Sequence, residues 1–223
     1  EQILLPGMVN LEGFILSHTY EIVDVPEQHQ VDLFLPPPPP RECLDVEDPA
    51  MFGSTTDYYI NFRYKMHEAM QNVPSLCREI DREFGKVFGR DYGLVCPYLC
   101  DDADLVLVTA GTIAGTCRVV ADRYRAKGLK VGVLRIRLFR PFPGCQIAEA
   151  LRTAKKVAVI DRDFSPGCGG IFAQEVKAVL QEVQSDLPVY EFIAGLGGKD
   201  VADMDIEGII EETNTIPKPG ESI

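Results

Sequence analysis

Long apolar runs are missing from this 223-residue chain. None approaches the ~20 residues that a bilayer-spanning helix needs, so no membrane association is expected. Basic charge is also scarce: 22 Lys and Arg face 34 Asp and Glu, a formal net charge of -12. That argues against a nucleic-acid partner, because phosphate backbones are bound by clustered cations. It suits a small-molecule enzyme or a basic protein partner. Metal-ligand patterns are thin as well. The three histidines (His18, His29, His67) lie far apart, and of seven cysteines only Cys96 and Cys100, in CPYLC, form a close pair. A zinc or iron–sulfur site uses about four ligands, commonly in two such pairs, so two buried thiols and no metal are expected. An odd cysteine count in a chain of this size predicts free thiols and a cytoplasmic setting. The start, EQILLPGMVN, lacks a basic n-region and a long apolar h-region, which predicts no signal peptide. It also lacks an initiator Met, which predicts a fragment or a processed product.

What is present falls into three zones. The first, up to about Cys43, is extended and punctuated by proline, with Glu21–Pro26 a possible edge strand. Its five consecutive prolines, Pro36–Pro40, impose a stiff polyproline II spacer, read as a connector in preference to an SH3-type ligand. The second zone, Asp57 to about Phe88, is helical. Tyr58, Phe62, Met66 and Met70 form one stripe, expected to be core. Pro74 is expected to interrupt it and Ser75 to cap a second helix, giving a helical hairpin closed by FGRDYG.

The third zone, Asp101–Thr213, alternates strand and helix. Leu105–Thr109, Val131–Phe139, Val157–Ile160 and Val189–Ile193 read as buried strands. Helices follow after Ala110–Thr116, at Gln146–Ala154, at Ile171–Val183 and after an Asp203 cap, with Gly128 as a C′ residue. Cys117 and Cys145 sit in helical patterns as small core residues. This predicts an α/β fold, a mostly parallel doubly wound sheet. The end, TNTIPKPGESI, reads as a loose tail.

Ligands of such sheets meet the carboxyl ends of the strands. Four loops belong there: Ala110–Thr116, Arg140–Gly144, Asp161–Gly170 and Gly195–Asp200. The small-residue loop AGTIAGT presents backbone N–H groups at a helix start, making Gly111, Thr112 and Thr116 weak candidates for an anion. The strand VGVLRIRLFRPFP carries Arg135, Arg137 and Arg140 into a buried-looking element. Arg140 is a candidate anion clamp, set against an ion pair with Asp161 or Asp163. Those two aspartates could act as bases or cap the SPGCGG loop. Cys168 is the most plausible reactive thiol. His18 reads as a core or interface histidine. No triad, metal constellation or paired carboxylates emerges.

Five segments in order, NLEGFILSHTYE (Asn10–Glu21), VDLFLPPPPP (Val31–Pro40), FGRDYG (Phe88–Gly93), RLFRPFP (Arg137–Pro143) and AGLGGKD (Ala194–Asp200), closely resemble the C-terminal part of the alpha subunit of pyruvate:ferredoxin oxidoreductase and related 2-oxoacid oxidoreductases. The resemblance implies that residues 1–100 are the end of a pyrimidine-binding domain with its proline strap and helical hairpin. It implies a transketolase C-terminal-like domain over 101–213 and a tail over 214–223. It also implies a reaction: oxidative decarboxylation of pyruvate to acetyl-CoA with reduction of ferredoxin, or the reverse. Thiamine diphosphate, Mg2+, iron–sulfur clusters and coenzyme A would serve the whole complex, none held wholly within this chain. The implied partners are the upstream alpha portion, a thiamine-binding beta subunit, a gamma subunit, a ferredoxin-like subunit, and ferredoxin as electron acceptor. The catalytic residues are unknown, being expected on the absent upstream portion or on partner chains, so the chain alone is expected to be inactive. Oxalate, a branched-chain 2-oxoacid or 2-oxoglutarate are alternative substrates. A stand-alone anion-binding α/β module is a further alternative.

Overall fold

The computed structural model describes residues 2–35, 37, 47, 56–217 and 219. The chain divides into two compact units, Glu1–Asn10 with Glu21–Tyr92, and Leu11–Tyr20 with Gly93–Ile223.

The larger unit is built on a five-stranded sheet in the order β1-β3-β2-β4-β5. Its strands are β1 (Val95–Tyr98), β2 (Leu105–Ala110), β3 (Val131–Ile136), β4 (Lys156–Asp161) and β5 (Val189–Ile193). All neighbouring pairs are parallel except β1 with β3, which is antiparallel. Residues 105–108 of β2 and 157–160 of β4 are apolar throughout because both faces are covered. Val106, Val108, Leu134, Ile136, Val157 and Val159 face one core, with Ile147 of α4 (Gly144–Ala150) and Ala173, Val176 and Leu180 of α5 (Ile171–Glu182). Leu105, Leu107, Val131, Val133, Ala158 and Ile160 face the other core. There they meet Cys117 and Val120 of α3 (Ile113–Ala126) and Ile206 and Ile210 of α6 (Asp203–Thr215). This is the expected doubly wound architecture. From β2 the chain turns through α3 to β3 on one side, and later through β4 to β5 on the other. The order therefore reverses between β2 and β4, and a crevice opens at their carboxyl ends.

Gly128 serves as the expected C′ residue of α3, with a positive φ. Its N–H reaches Arg125 O at 2.9 Å and the next N–H, of Leu129, reaches Tyr124 O at 3.0 Å, a Schellman ending. Gly132 inside β3 is required by close approach: a Cβ there would lie 2.7 Å from the Leu99 carbonyl.

Several expectations are corrected. CPYLC is not a simple pair of buried thiols: its first three residues belong to edge strand β1, which tolerates Pro97, Cys96 is half-buried, and only Cys100 is buried. Cys145 is exposed. Strand β3 stops at Ile136, short of Phe139, because the Arg137 and Leu138 N–H groups turn to Leu94 O at 3.1 and 3.0 Å. The final helix is not capped by Asp203. Asp205 accepts the Ala202 N–H at 2.8 Å, while Asp203 pairs with Arg123 at 2.7 Å. That helix runs on to Thr215, into the expected tail.

In the smaller unit, α1 (Gln28–Phe34) packs on α2 (Thr56–Phe88). Phe34 meets Phe84 and Phe88 edge-on, at centroid distances of 5.3 and 5.6 Å. The expected hairpin is one continuous helix of 33 residues with Pro74 inside it. Ser75 caps nothing and instead donates to Asn72 O at 2.9 Å. A single proline removes one rung of the ladder, which a long helix survives. The stripe expected to be core is exposed, Tyr58 by 62% and Phe62 by 52%. No strand forms over residues 21–26. The proline run lies outside the described residues except for Pro37. Among the described residues no helix is long and apolar enough to cross a membrane.

Candidate functional site at the carboxyl edge of the sheet

The crevice at the strand-order reversal is filled by a segment from the far end of the chain. Arg162 follows β4 and donates to Glu12 Oε1 at 2.9 Å and to Thr112 Oγ1 at 3.4 Å. Glu12 is largely buried and does more than pair. Its carboxylate accepts the N–H groups of Phe14, Ile15 and Leu16 at 3.1, 2.5 and 2.9 Å, closing the turn of GFILSHT. Burial pushes this carboxyl up, but the three backbone donors and the Arg162 charge outweigh it and hold the carboxyl below its ordinary range. Ser17 Oγ adds a bond to Glu12 O at 3.1 Å.

The glycines of AGLGGKD make room for this docking. A Cβ at Gly195 would lie 2.8 Å from Arg162 Nε, and one at Gly198 would lie 2.4 Å from the Phe14 ring. Both glycines have positive φ, which side chains resist. Two motifs at opposite ends of the chain are thus halves of one contact.

Asp161, fully buried at the end of β4, accepts the N–H groups of Phe172 and Ala173 at 2.9 and 3.1 Å. Asp163 accepts that of Ile171 at 3.2 Å. The pair caps α5 from outside the helix, just beyond the SPGCGG loop. Burial pushes the Asp161 carboxyl up to about 6, the two backbone donors opposing it and Asp163 adding to it. Gly170 sits so close that a Cβ would lie 2.1 Å from Asp161 Oδ2.

The residues singled out for an anion lie at this edge without forming one constellation. Gly111 is exposed in the β2–α3 turn at φ +65°, Thr112 is half-buried beside Arg162, and Thr116 is half-buried on α3. Arg140 is exposed and forms an ion pair, though not with Asp161 or Asp163. Its partner is Glu175 of α5, at 2.5 Å, and its guanidinium stacks 4.0 Å from the Phe139 ring centre. His18 is exposed on the Glu12 turn, not core. Cys168 is exposed between Gly167 and Gly169, its carbonyl held by Gln174 Nε2 at 2.8 Å. Cys117 is buried, and burial pushes its thiol up to about 12, which rules it out as a nucleophile at neutral pH. Among the described residues no group of three His, Cys, Asp or Glu could hold a metal ion. Sequence reasoning missed Glu12, Arg162 and Glu175. Spacing carries no signal for a contact across 150 residues. At this edge Glu12, Asp161 and Asp163 all accept backbone N–H groups.

Comparison with known proteins matches two family models. Residues 1–82 match "Pyruvate flavodoxin/ferredoxin oxidoreductase, thiamine diP-bdg" and residues 103–206 match "Pyruvate:ferredoxin oxidoreductase core domain II". The pyruvate synthase subunit PorA of Methanothermobacter thermautotrophicus is 45% identical over 213 residues, 95% of this chain and 55% of that one. The ketoisovalerate oxidoreductase subunit VorA of Pyrococcus abyssi is 38% identical over 226 residues, 99% of this chain and 57% of that one. The chain thus spans a little over half the length of these curated relatives. Among solved structures, a 2-oxoglutarate:ferredoxin oxidoreductase from Magnetococcus marinus superposes with a TM-score of 0.50 at 18% identity. It covers 72% of this chain and 24% of that one, a likeness of fold.

Proposed function

The chain belongs to the 2-oxoacid:ferredoxin oxidoreductase family as part of an alpha subunit, and from this premise we propose that it is a structural and subunit-contact portion of a thiamine diphosphate-dependent pyruvate:ferredoxin oxidoreductase. The observation that carries the reading is the pair of family matches, in order, along both parts of the chain. The activity of the assembly is oxidative decarboxylation of pyruvate to acetyl-CoA with reduction of ferredoxin, or the reverse, in the cytoplasm. In it, thiamine diphosphate supplies the carbanion chemistry, iron–sulfur clusters carry the electrons and coenzyme A takes the acyl group.

Among the described residues no site for an iron–sulfur cluster forms. No three metal-ligating side chains come together, and the buried Asp161 is consumed by α5. No step of the reaction is therefore assigned to this chain. Its own work is holding. The Arg162–Glu12 contact fixes the Gly13–Thr19 turn on the α/β unit, and Arg140 with Glu175 fixes the RPFP segment on α5. Gly111, Thr112, Thr116 and Arg140 lie at the edge we assign to meeting the cofactor-bearing parts: the upstream alpha portion, the beta, gamma and ferredoxin-like subunits. On this reading the unit of residues 1–10 and 21–92 ends a pyrimidine-binding domain, while residues 11–20 and strand β1, expected in that domain, belong with the transketolase C-terminal-like unit, whose last helix runs to Thr215.

A branched-chain 2-oxoacid is the second substrate reading, favoured by the 38% identity to a ketoisovalerate oxidoreductase subunit. The assembly captured on the tagged chain decides the matter. Ferredoxin reduction dependent on coenzyme A and faster with pyruvate than with 2-oxoisovalerate supports the first reading. The opposite order supports the second, and no reduction with any 2-oxoacid refutes both.

A further inference from the structure

Among the described residues, the buried side-chain polar atoms without a hydrogen-bond partner are three arginine Nε atoms, those of Arg118, Arg135 and Arg162. Arg162 is otherwise engaged by Glu12 and Thr112. Arg118 and Arg135 are different. Neither takes part in an ion pair among the described residues. Both are half-buried. In a chain with 12 more acidic than basic side chains, two partly desolvated guanidiniums left without a carboxylate are unexpected.

The two side chains share one place. Val131 and Val133 face the α3 core, so alternation along β3 puts Arg135 on the same face, beyond them toward the carboxyl end. Arg135 lies opposite Cys96 in the register, and its Nη2 approaches Cys96 Sγ at 3.8 Å. Arg118 comes from α3 and lies over the Tyr98 ring, 5.1 Å from its centre. Cys96 and Tyr98 are alternate residues of β1, on one face and about 7 Å apart. The two guanidiniums thus sit over adjacent positions of one strand. Asp122, a turn beyond Arg118, is taken by the Tyr98 hydroxyl at 2.8 Å. One turn before Arg118, Gly115 leaves open space: a Cβ there would meet nothing within 4 Å.

We propose that Arg118 and Arg135 form a binding site for a phosphate group of a small molecule, at the carboxyl end of β3 on the α3 face. Two forks arriving from different elements, helix α3 and strand β3, bring a joint charge of +2. A tetrahedral dianion satisfies both, whereas a planar monoanion satisfies one. The site is independent of the family reading, and it is distinct from Arg140, whose charge Glu175 already meets.

Calorimetric titration of the full chain at low ionic strength, with inorganic pyrophosphate, inorganic phosphate and succinate in turn, tests it. Pyrophosphate is expected to bind with a submillimolar Kd and succinate at least tenfold more weakly. Arg118→Gln and Arg135→Gln are each expected to weaken pyrophosphate binding tenfold or more. Arg152→Gln, which removes an exposed ion pair with Glu149, is expected to leave it unchanged. No pyrophosphate binding, binding that survives both Gln variants, or equal affinity for succinate overturns the proposal. Should a Gln variant lose its thermal transition, Arg118→Lys and Arg135→Lys keep the charge and remove the fork. A severalfold loss of affinity then supports the site, and unchanged affinity overturns it.

Discussion

Replacing Asp161 with alanine tests how the α/β unit is held at its ligand edge, and the effect has an unusual pH signature. The carboxylate is fully buried and accepts two N–H groups from the first turn of α5. Removing it leaves the Ala173 N–H buried without a partner and strips the helix of its cap. Loss of a cap costs ~1 kcal/mol and an orphaned buried donor ~1–3 kcal/mol, partly offset by no longer burying a charge, for a net of about 2 kcal/mol at pH 7. The pH dependence follows from the carboxyl titrating at about 6 in the folded chain against an ordinary value of 3.8. Between those values the folded state holds more proton than the unfolded one, so this group's contribution falls as pH rises and is fully present only below the lower value. Each unit of difference corresponds to ~1.4 kcal/mol, so going from pH 7 to pH 5 adds about 1 kcal/mol to the wild type that the Asp161→Ala variant cannot gain. Urea unfolding of both proteins at pH 7 and pH 5 measures this. The gap should widen from about 2 to about 3 kcal/mol as the pH drops. A gap that narrows on acidification, or one below ~0.5 kcal/mol at both values, refutes the reasoning.

Other consequences follow from the same geometry. Gly170→Ala drives a Cβ into Asp161 and should cost ~3 kcal/mol or more in urea unfolding, with part of that recovered in the Asp161→Ala background. Arg140→Ala removes an ion pair whose side chains are 49% and 28% exposed, so its cost in thermal unfolding should stay below ~1 kcal/mol; a larger loss would mean that the pair is shielded by something this chain does not contain. Glu12→Gln weakens the hold on three backbone N–H groups, so hydrogen exchange of Phe14, Ile15 and Leu16 should accelerate at least tenfold while the β4 amides stay protected. Acidification through the depressed folded value of Glu12 should loosen the same turn, because a carboxylate held low contributes above its ordinary value and loses that contribution as it is protonated.

The parts of the fold that were legible share one cause. Buried parallel strands must be apolar on both faces, so Leu105–Ala110 and Lys156–Asp161 announce themselves as runs, and glycine punctuation marks the helix between β2 and β3. Strand β1 was missed because an antiparallel edge strand needs neither a run nor freedom from proline, as Pro97 opposite Leu134 illustrates. Pro74 misled in the other direction: proline is a strong local breaker, but a helix long enough on both sides carries one missing rung. The stripe of Tyr58, Phe62 and Met66 was read correctly as a helix face and wrongly as core, since periodicity reports a face and not what covers it. At the site, the aspartates and Arg140 were found by their place at the strand ends. Glu175, the partner of Arg140, and the Arg162–Glu12 pair were not, because these groups meet only through the folded arrangement.

The composition of what purifies with this chain bears most directly on the central claim. A tagged full chain, captured anaerobically from its native cells, should bring down further polypeptides together with thiamine diphosphate, iron and acid-labile sulfide in stoichiometric amounts. A colourless preparation of the chain alone, free of thiamine diphosphate and iron, would contradict the account.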